Sequence, residues 1–291
     1  MLSLSCGYGR NSLNEIHGCV PSSDIQDRQT TGPMKQNMTA MCRTAAELIS
    51  AMQECENPGQ REVLKRFFKT GRGEYGEGDE FLGLKVPETR AFAKACRDLP
   101  LPEVETLLQS RWHEARLCGF LILVEQYNSR KATAAERDGI LNLYLRNARN
   151  ASNWDLVDLS CYKILGRWLV ESTASRTEKL RLMDRLADSD SLWEQRISIV
   201  STMATLKAGD PSYTLRYARR HLYHSHDLMH KAVGWLLRET GKRCGTDILR
   251  RFLAQHAATM PRTALRYAIE KMDREEREYW MKKKATATKK N

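Results

Sequence analysis

The sequence predicts an all-α fold built from stacked helix pairs, on three observations. From Thr44 onward the apolar residues recur at helical spacing, as in Leu48, Ile49 and Met52 and again in Leu64, Phe67 and Phe68, while strand alternation hardly appears. Helix start signals recur along the chain. Tryptophans at or near the expected starts fall at Trp112, Trp154, Trp193 and Trp235, separated by 42, 39 and 42 residues. With 291 residues, 41% of them hydrophobic, the chain is long enough to bury the core of one large or two small domains.

Residues 1–40 combine Ser, Gly, Asn, Gln and Thr without periodicity and are expected to form a disordered N-terminal extension. Met34, Met38 and Met41, just before the first periodic segment, are candidate natural starts. The helical domain is expected over 41–273. Within it Pro87-Glu88, Pro102-Glu103, Pro211 and Pro261 suit first helical turns. Thr133 to Glu136, Ser175 to Glu178 and Ser191 to Glu194 have the spacing of a capping box. These signals mark about a dozen helices joined by short loops. Residues 274–291 are expected to hold the end of the final helix and a basic, disordered tail with Lys282, Lys283, Lys284, Lys289 and Lys290.

The tryptophan interval lies close to the period of HEAT and armadillo helix pairs, roughly 40 to 47 residues. Glu114-Ala115-Arg116 is echoed by Glu194-Gln195-Arg196 two periods later. The fold class predicted is therefore a HEAT-like helical-repeat solenoid, whose inner helices line a concave groove suited to an elongated ligand.

Lys and Arg exceed Asp and Glu by 47 to 36, and the formal charge of +11 points to a polyanion or an anionic surface as partner. The eight cysteines are scattered with no CxxC spacing and are expected to be reduced thiols of an intracellular protein. No run is apolar enough to span a bilayer, and a secretory leader is not recognised, so a cytoplasmic location is expected.

Several segments suggest chemistry. Gly71-Arg72-Gly73-Glu74-Tyr75-Gly76 matches GxGxxG but follows a helical segment and carries acidic residues, so a flexible turn between helices is the better reading. His221, His224, His226 and His230 suggest a metal site, against a polar loop entering a helix. In Asn153-Trp154-Asp155-Leu156-Val157-Asp158, Asn153 suits a helix cap and Asp155 the positive first turn. Asp158 lies at i+4 from Trp154 on the same face, either in a site or salt-bridged to a neighbouring helix. Lys231, Trp235, Arg238 and Lys242 place an indole within a basic stripe, which suits phosphate contacts beside a stacking surface or a core tryptophan flanked by solvated charges.

In order along the chain, Gly78-Asp79-Glu80-Phe81-Leu82-Gly83-Leu84 leading into Pro87-Glu88-Thr89-Arg90, then Asn153 to Asp158, Trp193-Glu194-Gln195-Arg196, and Lys231-Ala232-Val233-Gly234-Trp235-Leu236-Leu237-Arg238-Glu239 together resemble the AlkD-like DNA alkylation-repair family. The resemblance extends from about Met41 to Met272. It implies a solenoid gripping duplex DNA and excising cationic alkylated purines such as 3-methyladenine and 7-methylguanine, with Trp154, Asp158 and Trp235 in the catalytic cleft. Arg196 falls on the family's DNA-contacting arginine; Arg238 and Lys231 are expected beside it, and Lys85, Val86 and Pro87 match a helix start that approaches the duplex. Neither metal nor organic cofactor is expected, and the protein is expected to act as a monomer. A non-catalytic binder of damaged or branched DNA and a protein-interaction scaffold remain the alternatives, because fold alone does not decide function.

Overall fold

A computed structural model describes residues 43–283. The expected N-terminal extension, and the tail from Lys284 onward, lie outside the described residues. Among those described, the architecture is all helical, relieved only by an isolated parallel bridge between Glu80 and Trp112.

In chain order the helices are α1 (Ala45–Glu54), α2 (Pro58–Phe67), α3 (Val86–Ala95), α4 (Leu101–Leu108), α5 (His113–Tyr127), α6 (Ala134–Arg146), α7 (Trp154–Ser160), α8 (Leu165–Glu171), α9 (Arg176–Ala187), α10 (Leu192–Val200), α11 (Met203–Lys207), α12 (Ser212–Arg220), α13 (Asp227–Cys244), α14 (Thr246–His256), α15 (Arg262–Ala268) and α16 (Arg274–Lys282). One row runs α3, α5, α7, α10, α13, α15, each packed on the next, and α4, α6, α9, α12, α14 and α16 flank it. This is the repeat arrangement that the tryptophan interval predicts.

Local signals explain most helix boundaries. The capping boxes at Thr133–Glu136 and Ser175–Glu178 form with both reciprocal hydrogen bonds, and Thr44–Glu47 forms a third. Pro87 and Pro102 occupy the first turns of α3 and α5's neighbour α4, and Pro211 and Pro261 stand immediately before α12 and α15. Ser191 departs from expectation. It precedes α10 but makes no side-chain cap, because Glu194 turns instead to Ser189 Oγ and, at 3.2 Å, to Arg149.

Trp112, Trp154 and Trp193 do mark starts, standing respectively just before α5, first in α7 and second in α10. Trp235 does not. It lies two turns inside α13, which begins at Asp227 because His226 caps the helix through Nδ1, accepting from Leu228 N at 3.1 Å.

The core runs along the inner row. Helix α5 is buried on nearly all sides, with Leu117, Cys118, Phe120, Leu121, Ile122 and Leu123 almost without exposure. Burying each such large apolar side chain contributes about 1.5–3 kcal/mol. Helix α16 packs through Trp280, and Arg250 on α14 donates to Glu276 at 2.8 and 3.0 Å, so the packed body continues past Met272. Among the described residues Cys55, Cys118, Cys161 and Cys244 are free thiols, as expected.

Candidate active site

The N-terminal ends of α7, α10 and α13 meet, and Arg196 joins all three. From the second turn of α10 it donates from Nε and one terminal nitrogen to the two Asp158 carboxylate oxygens, at 2.9 and 2.8 Å. Its other terminal nitrogen donates to Leu228 O in the first turn of α13 at 2.6 Å. Asp158 and Arg196 are each only 4% exposed, and Trp154, one turn before Asp158, is 8% exposed. A bidentate pair of this kind fixes the carboxylate in position and plane. Arg196, expected on a phosphate, thus has a carboxylate and a carbonyl as partners. Asp158 is paired to a neighbouring helix while lying beside Trp154.

The remaining expected contacts are dispersed. Lys231 pairs with Asp227 at 2.9 Å one turn earlier, and Arg238 pairs with Glu270 beyond α15. Trp235 is half-buried on α13 between them. Lys85, Val86 and Pro87 stand at the start of α3, with Lys85 and Pro87 exposed. A buried carboxylate holds that start in place, because Glu114 accepts from Leu82 N, Gly83 N and Leu84 N at 2.9, 2.8 and 3.1 Å. Gly83 is required there: its φ is +93°, and a Cβ would lie 2.1 Å from Asn57 O.

Two features escaped the sequence reading. Beneath Trp154, His113 is buried between two carboxylates, with Nδ1 2.8 Å from Asp79 and Nε2 2.9 Å from Asp155; Arg116 also binds Asp79. Ionised carboxylates only accept, so both ring nitrogens donate and the imidazole is a cation. Burial alone would lower its pKa, but Asp155 and Asp79 outweigh burial and raise it to about 10. Burial would raise the Asp79 pKa; His113 and Arg116 reverse that and hold it below the usual carboxylate value. Asp155 therefore does more than complement the α7 dipole: it ties Trp154's helix to the start of α5. The echo between Glu114-Ala115-Arg116 and Glu194-Gln195-Arg196 ends on arginines with equivalent partners, Arg116 binding Asp79 and Arg196 binding Asp158, 37 and 38 residues earlier.

The second feature is Tyr75, in the segment expected as a flexible turn. Its ring packs edge-on against Trp193 at 6.2 Å and His226 at 6.1 Å between centroids, and the Trp154 indole faces its hydroxyl. Burial raises the Tyr75 pKa. Phe67 and Phe68 extend the aromatic surface, with ring centroids 5.8 and 5.4 Å from Trp154. Phe67, Phe68 and Tyr75 thus cluster around Trp154.

The histidines after α12 are used in packing. His221 Nε2 meets Ser198 Oγ at 2.8 Å, His224 Nε2 meets Gln195 Oε1 at 2.6 Å, and His230 reaches His224 O. Burial lowers the His221 pKa to about 4, as suits a neutral ring. Among the described residues no group of three or more His, Cys, Asp or Glu is arranged to hold a metal, and no helix is long and apolar enough to cross a membrane.

The sequence over residues 48–272 matches the family model of DNA alkylation repair enzymes, a span that holds the whole helix junction and its aromatic wall. The chain belongs to this family. No curated protein gives a significant match. Among solved structures, a protein described as a predicted DNA alkylation repair enzyme from Enterococcus faecalis shares the fold with a TM-score of 0.58 at 16% identity, over 75% of this chain and 97% of that one. As a DNA alkylation repair family member, the chain has Asp158, Arg196, Trp154 and Trp235 within the matched region.

Proposed function

We propose that the chain is an alkylpurine-DNA glycosylase, hydrolysing the N-glycosidic bond of cationic alkylated purines such as 3-methyladenine and 7-methylguanine in duplex DNA. The observation that carries this reading is the Asp158 carboxylate, held by Arg196 beside Trp154 at the junction of three helix starts. N3- or N7-alkylation makes the purine a good leaving group, so the enzyme chiefly has to stabilise positive charge that grows on the deoxyribose. A fixed, water-poor carboxylate does so by electrostatics without reorganising during the reaction.

The base departs with the electron pair of the glycosidic bond, which neutralises its positive charge. Water adds to C1′ of the sugar, and its proton passes to Asp158 and then to solvent. Trp154, Trp235 and Tyr75 offer ring faces that favour a cationic nucleotide. Lys85 at the start of α3, with Lys231 and Arg238 on α13, supplies positive charge for the flanking phosphates. Arg196 serves Asp158 first, orienting the carboxylate through both oxygens. No step requires a cofactor, and a single chain supplies every residue invoked.

A second reading is supported by the burial of the same pair: Asp158 and Arg196, each 4% exposed, neutralise one another, which suits a non-catalytic binder of damaged DNA in which they only join helices. One experiment separates the two. Purified protein is incubated with duplex DNA bearing N-methylated purines and released bases are quantified by mass spectrometry, with Asp158→Asn in parallel. Release of 3-methyladenine or 7-methylguanine that depends on Asp158 supports the glycosylase; DNA binding with release at the spontaneous rate supports the binder.

A further inference from the structure

Away from the helix starts, the inner row gathers positive charge. Tyr162 and Lys163 follow α7 directly, and Lys207 closes α11, the segment that continues α10 one repeat later. Both ammonium groups reach one ring: Lys207 Nζ lies 4.6 Å and Lys163 Nζ 5.5 Å from the Tyr162 centroid. Arg90 on α3 stands close enough to Lys163 to act on it, although α5 lies between α3 and α7 in the row. Groups two helices apart approach one another in this way on the concave side of a solenoid.

Bringing these cations together is unfavourable without a further partner. Lys163 is half-buried, and burial, Arg90 and Lys207 together hold its pKa below the usual lysine value; Glu125 on α5 is the carboxylate that opposes them. Among the described residues neither Arg90 nor Lys163 forms a salt bridge, with Glu125 or with any other acid. Helix dipoles account for part of the pattern, since Lys163 and Lys207 stand at C-terminal ends, where cations are favoured. They do not account for Arg90, in the middle of α3. An anion that takes the donors of all three would relieve their repulsion, and a phosphate offers several oxygens for charge-assisted hydrogen bonds at once.

We propose that Arg90, Lys163 and Lys207 form a phosphate-binding site around Tyr162, separate from the Asp158 cleft. The phosphate belongs either to the backbone of a DNA strand that runs on past α7 or to the free anion. The site depends on no step of the glycosylase reading.

The test uses the full chain with Lys163→Met, Lys207→Met, the double variant, and Lys131→Met, which removes the same charge from an exposed position before α6. Affinity for an undamaged, fluorescently labelled duplex is measured by anisotropy across a sodium chloride series. Each phosphate contact contributes about 0.9 to the slope of log affinity against log salt. Each single variant in the cluster should therefore lower the slope by about 1 and the double variant by about 2, while Lys131→Met leaves it unchanged. In parallel, thermal melting in sodium phosphate is compared with melting in sodium chloride at equal ionic strength. A free-phosphate site raises the melting temperature of wild type and Lys131→Met in phosphate, an increment that Lys163→Met and Lys207→Met lose while their slopes stay unchanged. Because each substitution removes one of several like charges, the urea midpoints of the cluster variants at low salt should equal or exceed that of wild type.

Slopes that follow the cluster uphold the site and assign it to DNA; a phosphate increment that follows it upholds the site and assigns it to the free anion. Indifference of both readouts to Lys163 and Lys207, with or without a fall in the urea midpoint, overturns the proposal and leaves the lysines as helix-end cations. Excision of methylated purines by the same variants keeps the two readings apart. Slopes that follow the cluster in a protein that releases no base uphold this site and sink the glycosylase; release of base with neither readout following the cluster does the reverse.

Discussion

Replacing Asp158 by Asn changes two atoms' chemistry while nearly conserving volume, and the structure sets the size of the response. Two charge-assisted bonds, at 2.9 and 2.8 Å, join groups that are each 4% exposed, so solvent cannot compensate a lost partner. Removing one member of a buried ion pair costs about 3–5 kcal/mol, chiefly because a charge is left buried and uncompensated. Asn retains one carbonyl acceptor, which places Asp158→Asn near 3 kcal/mol at the lower end of that range. Arg196→Met leaves the carboxylate buried alone and also removes the bond to Leu228 O, so its cost should lie nearer 5 kcal/mol on the same scale. The double variant leaves neither charge behind and should fall short of the sum by about 2–3 kcal/mol, the coupling expected of residues in direct contact. Urea denaturation followed by tryptophan fluorescence measures all four corners of the cycle. An Asp158→Asn cost below about 1 kcal/mol, or additive effects, would refute the argument that this pair joins the helices. Under the glycosylase reading the same variant also slows excision about 100- to 1,000-fold at temperatures where it remains folded.

The His113 cation predicts a loss of stability toward alkaline pH. Its pKa is raised from 6.5 to about 10 in the folded chain, so its contribution is fully present below pH 6.5 and disappears as pH rises through 10. Between those limits the unfolding free energy should fall with a slope approaching about 1.4 kcal/mol per pH unit, and His113→Gln should flatten the profile measured by urea titration. The neutral His221 ring acts in the opposite direction: its stabilisation is present above pH 6.5 and is lost as pH falls through about 4, so His221→Gln should weaken the acid-side dependence in the same titrations. Gly83→Ala should destabilise by at least about 2 kcal/mol, combining a left-handed backbone with a steric conflict at Asn57 O, and thermal melting at one pH checks it. Duplex affinity should fall steeply with salt, and Lys85→Ala should reduce the log–log slope by about 1 if that ammonium meets a phosphate; an unchanged slope removes Lys85 from the interface.

The sequence by itself determined what depends on neighbours within about a helical turn. Thr133 with Glu136 and Ser175 with Glu178 cap their helices because the interacting atoms are three residues apart. Apolar spacing gave the helices, and Trp112, Trp154 and Trp193 gave the repeat. The repeat even fixes the separations at which long-range partners occur: Asp158 to Arg196 spans 38 residues, His113 to Asp155 spans 42 and Arg149 to Asp190 spans 41, each about one repeat. Only the tertiary structure decided which residues meet across that step. Arg196 faces a carboxylate, Glu194 turns away from Ser191, and His226 starts α13 two turns before Trp235. Tyr75 and His113 were invisible for the same physical reason. Their roles come from side chains on different helix starts brought together by packing, and a spacing rule supplies the distance along the chain but not the direction in which a side chain points.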